Sequence, residues 1–314
     1  MRQPLLRQRY TSFSEVKGKT RSVRLAGLNQ PQYHNPALMT DPKIIGILLV
    51  KDEDIFIENV VLNILEFCDE VFIAENYSRD RTFTILRELV EKYNKIRLAR
   101  VSHPKESHKF IEKFAGTNTW VFGVDGDEIY DPSGLRKMKK LLQASTFSEY
   151  WCIYGNVLNC VSIDLEKGLA KGYLAPPSRS MTKLYNFSMV ESWTDCPQRL
   201  HWGTLQFKNN ANDPPRLRLY QTVVWEQSYF RCLHAAFMQR SSLDVDRKRS
   251  SRLNPSEILK IRSAYADKSY VNYVLRQLRV KLGFDYKHKQ YRRGLLVKKS
   301  TSPFFQPPTL QKTL

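Results

Sequence analysis

Three carboxylates fall within four residues at Asp125-Gly126-Asp127-Glu128, directly after the apolar run Thr119–Val124. Like charges this close repel one another unless a cation neutralises them. Two aspartates separated by one glycine can both turn toward a single ion, and oxygen ligands suit Mg²⁺ or Mn²⁺. The spacing therefore predicts a divalent-cation site at Asp125 and Asp127, on the surface of a cleft. An ordinary acidic turn is the alternative.

Two further polar clusters follow apolar runs earlier in the chain. Residues 51–54 (KDED) come after the first run, and residues 75–82 (ENYSRDRT) come after the second. An acidic side chain at the end of a strand can accept a hydrogen bond from a nucleobase or from a ribose hydroxyl. We therefore expect Glu75, with Asn76 and Asp80 beside it, to contact a nucleotide.

The sequence around these clusters predicts the elements that position them. Continuous apolar runs indicate buried strands, and apolar residues at helical spacing indicate amphipathic helices. The predicted strands are 44–50, 71–74, 96–101 and 119–124, and the predicted helices are 54–67, 80–93, 106–117 and 133–144. Such alternation predicts an α/β fold with a parallel sheet and right-handed crossovers. Ligands of such sheets bind outside the carboxyl ends of the strands, where all three clusters would meet.

The second half of the chain has a less regular pattern. It predicts strands at 150–158, 182–187 and 219–225, and helices at 229–240, 255–266 and 268–282. We divide the chain into a loosely ordered basic lead-in (1–42), a main domain (43–240) and a basic helical C-terminal extension (241–314). The main domain has a regular first half (43–145) and a less regular second half (146–240).

Three segments, in this order, resemble the family 2 glycosyltransferases, which have the GT-A fold, a Rossmann-like nucleotide-sugar-binding sheet. They are IIGILLVKDEDIFIENVVLNIL from residue 44, DEVFIAENYSRDRTFTIL from residue 69 and TNTWVFGVDGDEIY from residue 117. The last contains the D-x-D motif. The family usually has aspartate where this chain has Glu75. The resemblance covers roughly residues 43–145. It implies that residues 43–240 are a catalytic domain, with 43–145 as its nucleotide-binding half and 146–240 as the half that binds the acceptor.

The resemblance implies a sugar transferase that uses a nucleotide-sugar donor and a divalent cation, Mn²⁺ or Mg²⁺. By the same resemblance, Glu75 would contact the base or the ribose. Asp125 would lie near the ribose or the metal, and Asp127 would bind the metal. Lys109 is a candidate phosphate contact, with a solvated helix lysine as the alternative. Family members are usually inverting, so one carboxylate would act as general base on the acceptor hydroxyl.

Candidates for the base and for acceptor contacts lie in the segment MVESWTDCPQRLHWG from residue 189. Asp195 is favoured over Glu191 as the base, with Asp213 and Glu226 as further candidates.

Aromatic and basic residues of this region supply the other expected contacts. Trp193 and Trp202 would form a platform for a sugar ring, although both could equally be core residues. Arg199 or His201 would hold an anionic group. We expect His234 on the helix 229–240, where it is a candidate for a third metal ligand or a diphosphate contact. A lone histidine on an apolar helix is more often a core residue, and this alternative stays open.

Charge and composition bear on partners and location. The net charge is +19, and residues 241–314 carry 17 basic and 5 acidic residues. This excess predicts contact with an anionic surface, such as a membrane that carries a lipid-linked or glycan acceptor. A solvated basic face that aids solubility is the alternative. Absence of repeated aromatic-basic motifs argues against nucleic-acid binding. Five scattered cysteines, no CxxC pair and no long apolar run predict a cytoplasmic protein, which the basic segment would bring to the inner membrane face.

Two other functions remain open from the sequence. A different nucleotide-sugar or nucleotidyl enzyme would use the same sheet to hydrolyse or exchange the donor. A non-catalytic binding module would keep the fold without the chemistry, although the intact pair of Asp125 and Asp127 argues against it.

Overall fold

The computed structural model describes residues 41–180, 182–212, 214–243 and 290–305. Several sequence-based predictions lie outside these described residues. They are almost all of the lead-in 1–42, the candidate base Asp213, and the helices 255–266 and 268–282.

The described residues form fourteen strands and five α-helices. The strands are β1 (Lys43–Val50), β2 (Glu70–Glu75), β3 (Ile96–Arg100), β4 (Thr119–Asp125), β5 (Glu128–Tyr130), β6 (Cys152–Tyr154), β7 (Asn156–Asp164), β8 (Leu169–Leu174), β9 (Lys183–Asn186), β10 (Val190–Thr194), β11 (Thr204–Phe207), β12 (Arg216–Arg218), β13 (Arg231–His234) and β14 (Leu296–Ser300). The helices are α1 (Ile57–Leu65), α2 (Thr82–Lys92), α3 (Glu106–Glu112), α4 (Pro132–Gln143) and α5 (Leu219–Thr222). Within the described ranges, no helix has both the length and the apolar character needed to cross a bilayer.

The larger sheet has the strand order β12-β6-β9-β4-β1-β2-β3. Strands β1 to β4 pair in parallel, and β9 runs antiparallel to β4 and β6. In β1 every residue after Lys43 is buried, as expected for a strand covered on both faces. The prediction of a Rossmann-like α/β fold with a parallel sheet is confirmed, and the ends of β1, β2 and β4 share one edge of that sheet.

A second sheet of five strands begins directly after the D-x-D motif. Its order is β14-β8-β7-β13-β5, and β13 pairs in parallel with β7 and antiparallel with β5. The chain passes between the sheets at Gly155, where a Cβ atom would lie only 2.2 Å from the carbonyl oxygen of Phe230. The predicted strand 150–158 is therefore two strands, β6 and β7, that belong to different sheets.

Two predicted elements of the second half are wrong. Residues 219–225 contain the short helix α5 instead of a strand, and residues 229–240 contain strand β13 instead of a helix. Arg231 and His234 are three residues apart, which is the spacing of one helical face, so the sequence favoured a helix. The last three residues of β13 are all buried, so no polar alternation marks it as a strand.

Residues 290–305 belong to the domain's core and second sheet, although we expected the segment 241–314 to be a helical extension. Strand β14 pairs with β8 along its whole length. Tyr291 and Phe304 are buried, and Phe304 stacks on Trp225 at 5.8 Å between ring centroids. The carbonyl oxygen of Phe304 also accepts a hydrogen bond from Asn63 Nδ2 at 2.7 Å. Deleting the basic C-terminal residues, for example by a truncation after residue 283, would therefore also remove core residues such as Tyr291 and Phe304.

Phe304→Ala should lower the free energy of unfolding by about 3–5 kcal/mol, because it leaves a cavity in a packed core. Urea denaturation of the full chain measures this loss. Leu295→Ala is the control, since Leu295 is 85% exposed and its loss should change stability by no more than about 0.5 kcal/mol. Equal stability of Phe304→Ala and the wild type would show that this segment does not stabilise the domain.

Candidate functional site

The D-x-D motif forms the turn from β4 in the larger sheet to β5 in the smaller one. Asp125 ends β4, and Glu128 begins β5. A Cβ atom on Gly126 would lie 3.1 Å from Glu53 Cγ, so the turn packs closely against the polar loop after β1. The structure thus brings the polar cluster 51–54 together with the acidic residues 125–128, as the sequence predicted.

Asp125 is paired with an arginine from a distant loop. Arg199 Nη2 donates to Asp125 Oδ1 and, at 2.7 Å, to the carbonyl oxygen of Val124. The Arg199 side chain is 4% exposed, whereas that of Asp125 is 24% exposed. Arg199 does hold an anionic group, but in the described contacts this group is a carboxylate of the protein.

Asp127 is fully buried, in contrast to the expected surface position. Its Oδ2 atom lies 3.1 Å from Arg240 Nη1 and 3.5 Å from His234 Nε2. Arg240 Nη1 also lies 3.6 Å from Glu53 Oε1. Strand β13 and the residues that follow it cover this carboxylate, and the arginine neutralises charge that would otherwise be costly to bury.

The residues after Arg240 are tied to the same edge of the sheet. The carbonyl oxygen of Arg240 accepts a hydrogen bond from Ile55 N at 3.1 Å. Ser241 Oγ donates to Asp80 Oδ2 at 2.6 Å, and Ser242 N donates to Asp54 Oδ1 at 2.7 Å. Asp80, predicted as a nucleotide contact, therefore helps to hold this segment over the site.

The loop 195–203, which carries Arg199, is held by helix α3. Ser107 Oγ accepts from Arg199 N at 3.0 Å, and His108 Nδ1 accepts from Leu200 N at 3.2 Å. His108 Nε2 donates to the carbonyl oxygen of Trp193 at 2.7 Å. Sequence analysis missed both α3 residues, because their partners lie about 90 positions away and no local pattern marks them.

Lys183 and His201 form a second polar pair beside Arg199. Lys183 Nζ lies 3.0 Å from His201 Nε2, and His201 Nδ1 donates to the carbonyl oxygen of Arg199 at 2.7 Å. Burial, followed by the neighbouring charge of Lys183, lowers the pKa of His201 to about 3. Burial also lowers the pKa of Lys183 from its ordinary value. The Nε2 atom of a neutral His201 therefore accepts a hydrogen bond from the Lys183 ammonium, while its Nδ1–H supports the Arg199 backbone. Sequence analysis did not single out Lys183.

Glu128 is a buried carboxylate within the cluster. Its Oε2 atom accepts from Asp125 N and from the Tyr130 hydroxyl, both at 3.1 Å. Burial, together with the negative charge of Asp125, raises the pKa of Glu128. The protonated form of Glu128 reduces the excess negative charge next to the D-x-D turn.

The polar cluster of residues 75–82, after β2, mainly stabilises its own loop. Glu75 is fully buried, and its two oxygens accept from Ser78 N and, at 2.8 Å, from Arg100 Nε. Asn76 Nδ2 donates to the carbonyl oxygen of Val101 at 2.9 Å. The Arg100 guanidinium in turn lies 4.3 Å from the ring of Tyr77, which is 54% exposed. In this cluster Tyr77, Arg79 and Arg81 are exposed, whereas the predicted Glu75 and Asn76 are buried.

The remaining predicted residues are not all brought to the D-x-D turn. Trp193 is 5% exposed and packs against Trp151 and Tyr185, so it belongs to the core and offers no open platform. Trp202, by contrast, is 52% exposed on the loop 195–203. Asp195 and Glu191 are also exposed, the first on that loop and the second on β10.

Two further candidates lie outside the D-x-D contacts. Lys109 is exposed on α3, and none of the described contacts joins it to the D-x-D turn. Glu226 Oε1 pairs with Lys299 Nζ on the second sheet.

No protein-family model matches the sequence, and no curated protein matches it. Solved structures do match. A mannosyltransferase from Pyrobaculum calidifontis in complex with GDP-Man and Mn²⁺ is 12% identical, with 83% of this chain and 86% of that chain covered and a TM-score of 0.37. A 4-diphosphocytidyl-2C-methyl-D-erythritol synthase from Anaerococcus prevotii is 14% identical, with 46% and 70% covered and a TM-score of 0.30.

A glucosyl-3-phosphoglycerate synthase from Mycobacterium tuberculosis, solved with Mn²⁺, UDP and glucosyl-3-phosphoglycerate, also matches. It is 16% identical, 39% of this chain is covered, and the TM-score is 0.29. The chain spans about half of the synthase's length, 50%. Structural neighbours of this chain thus include sugar transferases solved with a nucleotide and Mn²⁺.

The neutral state of His201 predicts a specific loss of stability in acid. The unfolded chain protonates this histidine below about pH 6.5, whereas the folded protein resists protonation until about pH 3. Since the unfolded state then binds more protons, the free energy of unfolding should fall as the pH drops through this range. His201→Gln should remove about 1–2 kcal/mol of the loss between pH 7 and pH 5.

Urea denaturation at a series of pH values measures this slope. Burial also lowers the pKa of His108, which should sustain the remaining slope in the variant. His103→Gln, at an exposed histidine before α3, is the control and should keep the wild-type dependence. A wild-type slope in His201→Gln would contradict a neutral His201.

Proposed function

We propose that this chain is a glycosyltransferase of the family 2 type, which transfers a sugar from a nucleotide-sugar donor to a glycan or lipid-linked acceptor. One observation carries the proposal. Asp127 of the D-x-D turn lies at the carboxyl edge of the parallel sheet, and its Oδ2 atom faces His234 Nε2 at 3.5 Å. An acidic oxygen and an imidazole nitrogen so placed are suited to bind a cation beside a donor diphosphate.

The side chains present fit a divalent cation in part. Two atoms 3.5 Å apart can both lie about 2.1 Å from one ion, a normal distance for Mn²⁺ or Mg²⁺ ligands. Among the described residues, however, no group of three or more histidine, cysteine, aspartate or glutamate side chains is arranged to hold a metal. Asp127 and His234 would supply two ligands, and the donor and water would supply the others. The ion would offset charge on the leaving nucleoside diphosphate.

Cationic side chains of the protein would also assist departure of the nucleoside diphosphate. The three that surround the D-x-D turn are Arg199, Arg240 and Lys183. Each could donate a hydrogen bond to the negative charge that develops on the leaving diphosphate. The exposed ring of Tyr77, backed by Arg100, offers a stacking surface at the end of β2 where the nucleotide is expected. Glu75 and Asn76 would contribute to nucleotide binding indirectly, because their hydrogen bonds hold the loop that carries Tyr77.

Asp195 is our candidate for the general base. It is exposed at the start of the loop 195–203, which reaches the D-x-D turn through Arg199. Glu191 lies further back on β10 and is the second candidate. The half-exposed ring of Trp202 on the same loop would contact the acceptor sugar. Inversion at the donor carbon would follow from direct attack by the acceptor hydroxyl that this base deprotonates.

We also propose a cytoplasmic location with contact to an anionic membrane through the basic residues 241–314. The charge of this segment supports the idea. The arginine pairing of Asp125 and Asp127 favours one alternative, a binding module that keeps the fold without the chemistry.

Asp127→Asn should weaken Mn²⁺-dependent binding of the donor about 10- to 100-fold, because it removes a charged ligand. Calorimetric titration with a panel of nucleoside diphosphate sugars, in Mn²⁺ and in EDTA, measures this change. Release of nucleoside diphosphate on addition of acceptor glycans then reports transfer.

Asp131→Asn is the matched control for that measurement. Asp131 is also a buried carboxylate paired with an arginine, Arg231, at 2.9 Å, but it lies outside the D-x-D turn. Its variant should bind donor as the wild type does. Failure of the wild-type protein to bind any nucleotide sugar, or equal binding by Asp127→Asn, would refute the proposed function.

Arg240→Met should tighten Mn²⁺ binding about 10-fold in the absence of donor, because Arg240 and a cation compete for the same Asp127 oxygen. Electron paramagnetic resonance of free Mn²⁺ measures the affinity. Arg231→Met, which removes the partner of Asp131, should leave it unchanged. Unchanged or weaker binding by Arg240→Met would mean that the metal does not bind at Asp127.

A further inference from the structure

The second sheet joins the D-x-D turn to an exposed edge through one cross-strand row of side chains. In register, Glu128 of β5 is opposite His234 of β13, and His234 is opposite Asn159 of β7. Asn159 is opposite Tyr173 of β8, and Tyr173 is opposite Leu296 of the edge strand β14. Residues opposite one another on neighbouring strands share one face of a sheet. This face therefore runs from the D-x-D turn to β14, across four strand spacings or about 19 Å.

Alternate residues of β8 and β14 form the exposed part of this face, which we call the outer face. In cross-strand pairs, its members are Leu296 with Tyr173, Lys298 with Lys171, and Ser300 with Leu169. Successive side chains of a strand point to opposite sides of a sheet. On the other side of β14, Val297 packs against the main core and Lys299 pairs with Glu226. The outer face is thus turned away from the core.

Apolar side chains are exposed at both ends of the outer face. Leu169 and Leu296 are both exposed, and Leu295, directly before β14, is 85% exposed. Single leucines scattered over a surface need no explanation. Several on one sheet edge, with charged groups between them, mark a surface that contacts a partner or a membrane.

Two lysines lie between these leucines. Lys171 and Lys298 are directly opposite each other, and both are exposed. Like charges opposite one another on neighbouring strands are destabilising. Within the ranges that the structure describes, neither lysine forms an ion pair with a carboxylate. An anionic group bound between them would remove this repulsion.

Two exposed arginines extend the positive charge along the same side of the sheet. The Arg292 guanidinium lies 4.4 Å from the ring centroid of Phe237, which packs edge-on against Tyr173 of the outer face. Arg179 Nη1 donates to the neutral side chain of Gln290 at 2.6 Å. Among the described contacts, neither guanidinium has an acidic partner. Four basic side chains therefore surround Leu295 and Leu296 without local neutralisation.

We propose that the outer face is a docking surface for an anionic lipid bilayer, and that the acceptor is consequently lipid-linked. The proposal rests on the transferase function and membrane contact proposed above, and it assigns that contact to one surface. The leucines would enter the boundary between headgroups and acyl chains, while Lys171, Lys298, Arg179 and Arg292 contact anionic headgroups. Because the D-x-D turn lies on the same face of the sheet, a docked protein would hold this turn close to the membrane.

Charge complementarity favours a bilayer over a second copy of this chain. A second copy would bring the same lysines and arginines, so two such faces would repel each other. Lysines on an edge strand also disfavour pairing of that strand with another strand. An anionic bilayer offers negative charge for the basic groups and an apolar phase for the leucines.

Co-sedimentation of the full-length protein with vesicles tests this surface. Phosphatidylcholine vesicles with about 30% phosphatidylserine supply negative charge, and pure phosphatidylcholine vesicles supply none. Lys298→Gln removes a charge from the outer face. Lys299→Gln is the matched control, because Lys299 is the next residue of β14 but pairs with Glu226 on the other side. Leu295→Ala tests the apolar contact, with Val224→Ala as its control at an exposed residue outside the second sheet.

The wild type should bind the anionic vesicles, and the binding should weaken as salt rises from about 0.05 M to about 0.5 M. Lys298→Gln should weaken binding about fivefold, and Lys171→Gln with Lys298→Gln about 25-fold. Leu295→Ala should weaken it about fivefold. Lys299→Gln and Val224→Ala should match the wild type.

Three results would overturn the proposal. The first is a wild type that does not bind the anionic vesicles, or binds neutral vesicles equally well. The second is an equal effect of Lys298→Gln and Lys299→Gln, which would reflect net charge and not this surface. The third is a stable dimer, measured by analytical ultracentrifugation without lipid, that Leu295→Ala dissociates, since the outer face would then bind a second copy.

These results are separable from a failure of the proposed function. A wild-type protein that binds a nucleotide sugar but no anionic vesicle would refute the docking surface and keep the transferase. Conversely, vesicle binding with the expected effects of the variants, in a protein that binds no nucleotide sugar, would refute the transferase and keep the docking surface.

Discussion

Burial of several carboxylates at one sheet edge is the constraint on which the rest of this structure depends. Glu53, Asp127 and Glu128 are all at most 1% exposed, and an uncompensated buried charge costs several kcal/mol. The chain meets this demand with arginines from two distant segments. Arg199 is carried by a loop that α3 holds, and Arg240 follows β13. Much of the second half of the domain thus serves to bring positive charge to the D-x-D turn.

The second sheet gives this turn its geometry. Because β5 begins at Glu128, the D-x-D turn is anchored in both sheets, and antiparallel pairing of β5 with β13 sets His234 opposite Glu128. The hydrogen bond from Ala235 N to the carbonyl oxygen of Asp127, at 2.9 Å, extends this pairing by one residue. The contact between His234 and Asp127 is therefore fixed by backbone hydrogen bonds on both strands, which is the rigid support that a binding site needs.

The sequence was sufficient to predict the first four strands and the four helices between and after them, because each leaves a local pattern. The strands are continuous apolar runs, and the helices have apolar residues at helical spacing. It also located the carboxyl-edge clusters, since a polar run after a buried strand is a local signal. It failed where pairing is non-local. Strand β13 has only four residues. It is recognisable as a strand only from its pairing with β5 and β7, which lie about 100 and 75 positions earlier. Lys183, Ser107 and His108 were missed for the same reason: their roles depend on contacts with the loop 195–203.

The arginine pairs also bear on how a cation and a donor would bind. Three cationic side chains, Arg199, Arg240 and Lys183, already oppose the carboxylates of the cluster, and the raised pKa of Glu128 reduces the negative charge further. A divalent cation alone would therefore enter a site that is close to neutral, and it would displace Arg240 from Asp127. A donor diphosphate brings negative charge. This charge would favour binding of the ion and would give the displaced Arg240 guanidinium a new partner. Because coupling between two ligands is reciprocal, the cation should in turn strengthen donor binding. On this argument the two ligands bind as a pair, and the arginines keep the acidic turn folded when both are absent.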